Sequence, residues 1–298
     1  MALQETQLLS VDGVLKQVDV DKEQIAIDRI RTLEPENGYS VSFSGGKDSI
    51  VVYDLVKRAG VKHEAHYAIT TIDPPEVIRF INTHYPEVIH DRPKDNYNFW
   101  DLCVYKFKAL PTRMQRFCCA YFKETPPPRI GMIVVTGVRW SESVRRKKNS
   151  KLMQVTYERD IKLSIDNEDD ACLFREWALD EEKGKKLVLN PIIDWSEEDV
   201  WEYIHKYNLP YPCLYDEGFN RVGCIGCPFG GTKNQLKQFE RYPWHKRKYI
   251  ETANRIYGIR KERGMKLYGW KSGDELFNWW VSGGNVETPT DLFDQEEM

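Results

Sequence analysis

Along the 298 residues, apolar positions come in short runs whose spacing switches between two and about 3.6. Val41 and Phe43 alternate with Ser42 and Ser44, which predicts a short strand. Ile50, Val51, Tyr53, Asp54, Leu55 and Lys57 then predict a helix packed on one face and ending near Gly60. His63 to Ile72 reads as a second strand, and Val88-Ile89-His90 as a short third one. Between them, Asp73-Pro74-Pro75-Glu76 starts a helix, with Asp73 as its N-cap and Val77, Ile78, Phe80 and Ile81 on its apolar side. Residues 99–110 read as a helix that Pro111 stops or bends. Met132 to Val138 is a dense apolar run suited to a buried central strand, and Leu187 to Ile193 is another. Glu197 to Tyr207 predicts a helix carrying Val200, Trp201 and Ile204. Ahead of all these, Asp21 to Leu33 predicts a helix with Ile27, Ile30 and Leu33 on one face, closed by Pro35 and Gly38. Residues 1–20 are weakly patterned and read as a loose lead-in.

Strands alternating with helices predict an α/β fold, a doubly wound and mostly parallel sheet covered on both sides. The polar segment 141–186 reads as an excursion from that sheet. The expected division is a helical lead-in over 1–37, a sheet domain over 38–228, and a basic segment with an acidic tail over 229–298. No internal repeat or low-complexity tract interrupts it.

A hydrophobic content of 41% supports a real core, while no run approaches the roughly 18 apolar residues of a membrane span. Met1-Ala2-Leu3-Gln4-Glu5-Thr6 has no basic start leading into an apolar stretch, so a cytoplasmic, membrane-free protein is expected. The net charge of -3 hides an asymmetry. Residues 229–271 hold twelve Lys or Arg against three Glu, and residues 272–298 hold seven acids and no Lys or Arg. The basic segment, interleaved with Phe239, Tyr242, Trp244, Tyr249, Tyr257, Tyr268 and Trp270, suits a nucleic acid; equally, the acidic tail can neutralise it.

The predicted strand at Val41 and the helix from Ile50 enclose Ser44-Gly45-Gly46-Lys47-Asp48-Ser49. Small residues between a strand and a helix N-terminus make an anion site. Gly45 and Gly46 admit a phosphate to the backbone, the helix end favours negative charge, Lys47 adds a cation, and Ser44 and Ser49 add hydroxyls. The spacing excludes the ordinary P-loop, which needs four residues between its glycines. The seven cysteines include Cys118-Cys119 and Cys224-Ile225-Gly226-Cys227. Four thiolates from two segments suit zinc or a [4Fe–4S] cluster; a redox dithiol or buried apolar thiols are the other readings. Arg145 to Lys148 is either a phosphate grip or a charged loop, and the six histidines show no ligand spacing.

Ser-Gly-Gly-Lys-Asp-Ser resembles the loop of the adenine nucleotide alpha hydrolase superfamily, the PP-loop ATP pyrophosphatases. Three further stretches extend the likeness: Gly137-Val-Arg-Trp-Ser-Glu-Ser143, Asn190-Pro-Ile-Ile-Asp-Trp-Ser-Glu-Glu-Asp-Val-Trp201, and Leu209-Pro-Tyr-Pro-Cys-Leu-Tyr-Asp-Glu-Gly-Phe219. With the two cysteine pairs, they resemble the phosphoadenosine phosphosulfate and adenylylsulfate reductase family over residues 39–230, in its iron–sulfur branch and near the DNA phosphorothioation sulfurtransferases. The resemblance implies an adenine nucleotide, ATP with Mg2+, held by Ser44 to Ser49, Asp73, Gly137 and Arg139, with Lys47, Asp48 and Arg139 in catalysis. It also implies a [4Fe–4S] cluster on Cys118, Cys119, Cys224 and Cys227. The family's reductases use a further cysteine near the C-terminus, and in this sequence none follows Cys227. The expectation is therefore ATP-driven adenylation of an acceptor for sulfur transfer, with a nucleic acid as a candidate acceptor and a separate protein as sulfur donor. Sulfonucleotide reduction, and nucleotide binding without turnover, are the alternatives.

Overall fold

In the computed structural model the described residues are 3–11, 14–92, 97–123, 131–157 and 185–283. Strands run in the order β1 (Gln4–Val11), β2 (Val14–Asp21), β3 (Tyr39–Ser42), β4 (His63–Ala68), β5 (Ile89–Asp91), β6 (Ile133–Val135), β7 (Met153–Tyr157) and β8 (Lys185–Leu189). Helices run α1 (Lys22–Thr32), α2 (Lys47–Ala59), α3 (Pro75–His84), α4 (Phe99–Asp101), α5 (Phe117–Lys123) and α6 (Val144–Asn149). After them come α7 (Glu197–Lys206), α8 (Gly231–Arg241), α9 (Pro243–Glu262) and α10 (Gly273–Val281). None of these helices is long and apolar enough to cross a membrane. The chain divides into two compact units: Met1–Ile69 with Pro75–Arg92 and Phe122–Val222, and Thr70–Pro74 with Pro93–Tyr121 and Gly223–Met298.

The first unit is built on a six-stranded sheet of order β5-β4-β3-β6-β8-β7. Five strands are parallel and β7 runs antiparallel to β8 at one edge. The expected α/β architecture with a mostly parallel sheet is therefore present. From β3 the chain steps to β4 and β5 on one side, and later returns through β6 and β8 on the other. The order reverses between β3 and β6, and loops leaving the C-terminal ends of strands at such a reversal frame a ligand crevice. Tyr39, Phe43, Ile50, Leu55, Ile81, Leu189, Trp195 and Tyr203 are fully buried in this unit. Each aliphatic or Phe side chain among them is worth roughly 1.5–3 kcal/mol against exposure.

Two of the expectations are corrected here. Residues 4–21 are an antiparallel ribbon, paired from Gln4↔Asp21 to Val11↔Val14, where weak patterning suggested a loose lead-in. Backbone hydrogen bonds hold such a ribbon, and they leave little trace in side-chain hydropathy. Asp21 then caps α1, accepting the Glu23 and Gln24 N–H groups. Part of the polar excursion also returns to the sheet as edge strand β7, in register Met153↔Leu189.

The second unit is helical. Fully buried Tyr249 on α9 sits among Phe99 (ring centroids 5.5 Å apart), Trp100 (5.0 Å), Phe239 (5.3 Å) and Trp280, which stacks on it at 4.8 Å. The helix expected over 99–110 is shorter and wider. After α4 it continues as a π-helical turn, Leu102–Phe107, and stops at Lys108, whose φ is 47°. The second predicted strand also stops early, at Ala68. Residues 70–74 belong to the second unit, where Thr71 Oγ1 accepts the Phe99 N–H at 2.8 Å and the Ile72 carbonyl accepts the Ile225 N–H at 2.9 Å.

Candidate functional site

In the first unit, Ser44 to Ser49 links β3 to α2 as the alternation and helical spacing require. The loop braces itself. Ser44 N–H donates to Ser49 Oγ at 3.1 Å, Ser49 Oγ donates to the Gly46 carbonyl at 2.8 Å, and Gly46 N–H reaches Ser44 Oγ at 3.3 Å. Ser49 thus braces the loop from within. Gly45 has φ +71°, and Gly46 caps α2 without a side chain.

Buried Lys47 opens α2. Its Nζ lies 3.3 Å from Asp48 and 3.3 Å from Glu197. Arg139, also buried, places Nε 2.7 Å from Asp48 Oδ1 and Nη2 2.8 Å from Glu197 Oε2, and its Nη1 donates to Ser141 Oγ at 2.9 Å. Two cations and two carboxylates therefore interlock at the N-terminus of α2. Arg139 follows β6, and Gly137 explains how that strand's loop comes so close. A Cβ on Gly137 would sit 2.9–3.0 Å from Asp48 Cβ, C and O, so only glycine fits. Burial disfavours the Arg139 cation, but the Asp48 charge and the Glu197 bond outweigh it and push the pKa up. Burial likewise raises the Glu197 carboxyl, and the Arg139 hydrogen bond and Lys47 charge bring it below the usual carboxylate range.

Two members of this cluster were not singled out in the sequence. Glu197 starts α7, whose first turn is fixed by a capping box between Ser196 and Asp199. Asp199 Oδ2 also holds Lys22 Nζ at 2.9 Å. Tyr215 accepts the Lys47 backbone N–H at 3.0 Å through its hydroxyl, on the short turn Cys213–Tyr215. Both lie inside the matched stretches 190–201 and 209–219, which was the available signal. Arg146, in the basic run 145–148, pairs with Glu142 one helical turn back, so that side chain is committed within its own segment. The Arg145 side chain lies outside the described residues.

Asp73 belongs to the second unit. It does not bond forward to cap α3; it turns back, accepting the Thr70 N–H at 2.8 Å and the Thr70 hydroxyl at 2.7 Å. Cys224 Sγ in turn donates to Thr70 Oγ1 at 3.4 Å. All four cysteines expected to act together lie in this unit. Gly226 between Cys224 and Cys227 has φ +72°, and a Cβ there would meet Tyr249 at 2.7 Å and Phe239 at 2.9 Å. Burial pushes the Tyr249 phenol up, reinforced by the neighbouring thiols of Cys103, Cys118, Cys227 and Cys224. Among the described residues, no three His, Cys, Asp or Glu side chains gather tightly enough to hold a single metal ion. Cys103 is fully buried, and burial pushes its thiol well up. Cys213 is exposed, and Cys172 lies outside the described residues.

On the basic segment, Phe239, Tyr242 and Tyr249 are buried, while Trp244 is 49% exposed beside exposed Lys246 and Arg247. Arg260 is buried too, donating to the Lys108 carbonyl at 3.0 Å and to the Lys266 carbonyl at 3.0 Å.

The chain is similar to two uncharacterized proteins of Methanocaldococcus jannaschii. One is 28% identical over 250 residues, 78% of this chain and 45% of the relative; the other is 26% identical over 238 residues, 78% and 51% respectively. It thus spans about half the length of these curated relatives. An adenosine 5′-phosphosulfate reductase of Geobacillus kaustophilus is 28% identical over 205 residues, covering 65% of this chain and 73% of the enzyme. Among solved structures, the phosphoadenylyl-sulfate reductase of Candida auris, in a phosphate complex, covers 68% of this chain and 87% of its own at 16% identity and a TM-score of 0.45. The phosphoadenosine phosphosulfate reductase domain model matches residues 38–229, from just before β3 to just after the second cysteine pair, and the chain belongs to that family.

Proposed function

We propose that this chain binds Mg·ATP on the Ser44–Ser49 loop and adenylates an acceptor for sulfur transfer. The observation that supports it most is the cluster of Lys47, Asp48, Arg139 and Glu197 at the N-terminus of α2, where β3 and β6 part. The acceptor's nucleophile attacks the α-phosphorus, the bond to the β-phosphate oxygen breaks, and pyrophosphate leaves. Lys47 and Arg139 turn from their carboxylates to the phosphate oxygens and stabilise the charge that builds there. Asp48 and Glu197, freed by the two cations, would hold the Mg2+ that accompanies the nucleotide, and it would neutralise phosphate charge there. A sulfur nucleophile delivered by a donor protein then displaces AMP from the acceptor.

The donor chemistry of the second unit supports an iron–sulfur group. Cys118, Cys224 and Cys227 are neighbours of Tyr249, and Gly226 is tailored to the turn that presents two of them. A single zinc holds its thiolates within about 4 Å of each other, since each bond is about 2.3 Å. Several irons spread their ligands wider, which suits thiolates drawn from two separate segments, one of them the vicinal pair Cys118-Cys119. Cys118, Cys119, Cys224 and Cys227 would hold the cluster, and it would supply iron as a binding site for the incoming sulfur. Trp244, Lys246 and Arg247 on α9 make a nucleic acid the favoured acceptor, through one exposed aromatic and phosphate-pairing cations rather than a row of stacking rings.

Sulfonucleotide reduction is the second reading. Cys103 suits it poorly, because a buried thiol with a raised pKa supplies little thiolate. Exposed Cys213 favours it, lying two residues from the hydroxyl that bonds Lys47. The test is an anaerobic assay of AMP and pyrophosphate from ATP, alongside sulfite release from adenylylsulfate and its 3′-phospho form with thioredoxin. The proposal expects acceptor-stimulated pyrophosphate and no sulfite. Multiple-turnover sulfite release that vanishes in Cys213→Ser would overturn it in favour of reduction.

A further inference from the structure

The three amides that follow Cys224 in its turn all donate to oxygen. Ile225 N–H reaches the Ile72 carbonyl at 2.9 Å, Gly226 N–H reaches Gln238 Oε1 at 2.8 Å, and Cys227 N–H reaches the Cys224 carbonyl at 3.3 Å. Thr70 points its hydroxyl proton at Asp73, so it too offers Cys224 a lone pair and not a proton. Of these donors only the Gly226 amide is held by a long side chain, and that side chain is placed with care. Gln238 is 5% exposed, and Gln235, one helical turn earlier on α8, donates Nε2 to the Gly226 carbonyl at 2.9 Å. Tyr249 donates its hydroxyl to the Ile225 carbonyl at 2.8 Å. Gln238 and Tyr249 thus hold the two ends of the Ile225–Gly226 peptide, and Gln235 holds the carbonyl of the next one. Burying a primary amide is costly unless its bonds are made, so this grip is a specific use of polar groups in an aromatic core.

We propose that Gln238 is a positioning residue that withholds the Gly226 amide from the Cys224 sulfur, and so keeps the reduction potential of the iron–sulfur group on this turn negative. The inference rests on the cluster reading above. An N–H bonded to a thiolate sulfur disperses its charge and stabilises the reduced, more negative state. Taking that donor away favours the oxidised state. Gln235 holds the Gly226 carbonyl, in the next peptide along, and does not touch the Gly226 N–H, so its role is stiffness rather than charge.

The experiment is mediated redox titration of the anaerobically reconstituted full chain, followed by electron paramagnetic resonance. Gln238→Leu releases the Gly226 amide and should shift the midpoint positive, by about 59 mV for a tenfold change in the reduced-to-oxidised ratio. Gln238→Glu keeps an oxygen acceptor and should stay at or below the wild-type potential. Gln235→Leu should lower thermal stability with little movement of the potential. A residue with only a structural role would lower stability in all three and leave the potentials together. Equal potentials in wild type and both Gln238 variants, with iron and sulfide present in all, would overturn this inference alone. A wild-type chain that retains no iron or sulfide after reconstitution would overturn the cluster reading and this inference with it.

Discussion

The two units solve opposite problems. In the first, charged side chains gather at a helix N-terminus and satisfy one another: Lys47 and Arg139 share Asp48 and Glu197. In the second, the Cys224–Cys227 turn is wrapped in aromatic rings and held by neutral amides and hydroxyls. The first arrangement can exchange its partners for a ligand of mixed charge, because each ion already has somewhere to go. The second resists rearrangement, because its bonds are buried and short of water. Exchangeable charge suits a nucleotide that comes and goes; a rigid, low-dielectric shell suits a group that stays.

The comparison is most exposed to attack at the glycines. Gly226→Ala meets Tyr249 at 2.7 Å and keeps a φ of +72° that alanine disfavours. The strain is roughly 1–2 kcal/mol and the overpacking about 1–3 kcal/mol. The expected outcome is a large fall in thermal stability and loss of iron, read by melting and by iron assay. Gly137→Ala should act on the other unit, pressing on Asp48 and removing ATP binding while the iron content stays. If either variant damages both properties equally, the division of labour between the units fails.

Arg139→Gln comes next in size. It removes the cation that Asp48 and Glu197 share, so ATP affinity measured by calorimetry should fall at least tenfold, about 1.4 kcal/mol. Ser196→Ala removes the N-cap of α7 beneath Glu197. It should cost about 1 kcal/mol in denaturant unfolding, with a smaller loss of ATP affinity. The smallest effect is a matter of pH. Glu197 has a folded pKa below the ordinary value, so its contribution to stability is full above that ordinary value. It is lost as pH falls through the lowered one. Glu197→Gln should therefore flatten the acid limb of a melting-temperature profile in the first unit's transition. An unchanged limb would show that Glu197 does not feel Lys47 and Arg139 in solution.

The nucleotide unit was readable in the sequence because its signals are local. Ser44 to Ser49 sits between an alternating strand and a one-faced helix, and β6 announces itself as Ile133-Val134-Val135 inside an apolar run. Two missed elements also had legible patterns. Met153, Val155 and Tyr157 alternate with Gln154 and Thr156, as an edge strand would, and Asp12-Gly13 is a two-residue hairpin signal. The partners at long range were not legible. Glu197 and Tyr215 reach Lys47 across about 150 residues or more, and no local period encodes that (|i−j| is 168 for Tyr215). Nor does any spacing reveal that Gln238, on a helix of mostly polar residues, spends its side chain on Gly226. On the basic segment, too, no local period shows that Phe239, Tyr242 and Tyr249 face the core while Trp244 is exposed.

The claim that matters most is that the Ser44–Ser49 loop is the ATP seat and that Lys47 works there. Its most direct measurement is isothermal titration of Mg·ATP into the full-length wild type and into Lys47→Ala, each shown by circular dichroism to be folded. Wild-type binding that falls at least tenfold in Lys47→Ala, with iron content unchanged, is the predicted result. Equal affinity in the two proteins, or no ATP binding by a folded wild type, would contradict it.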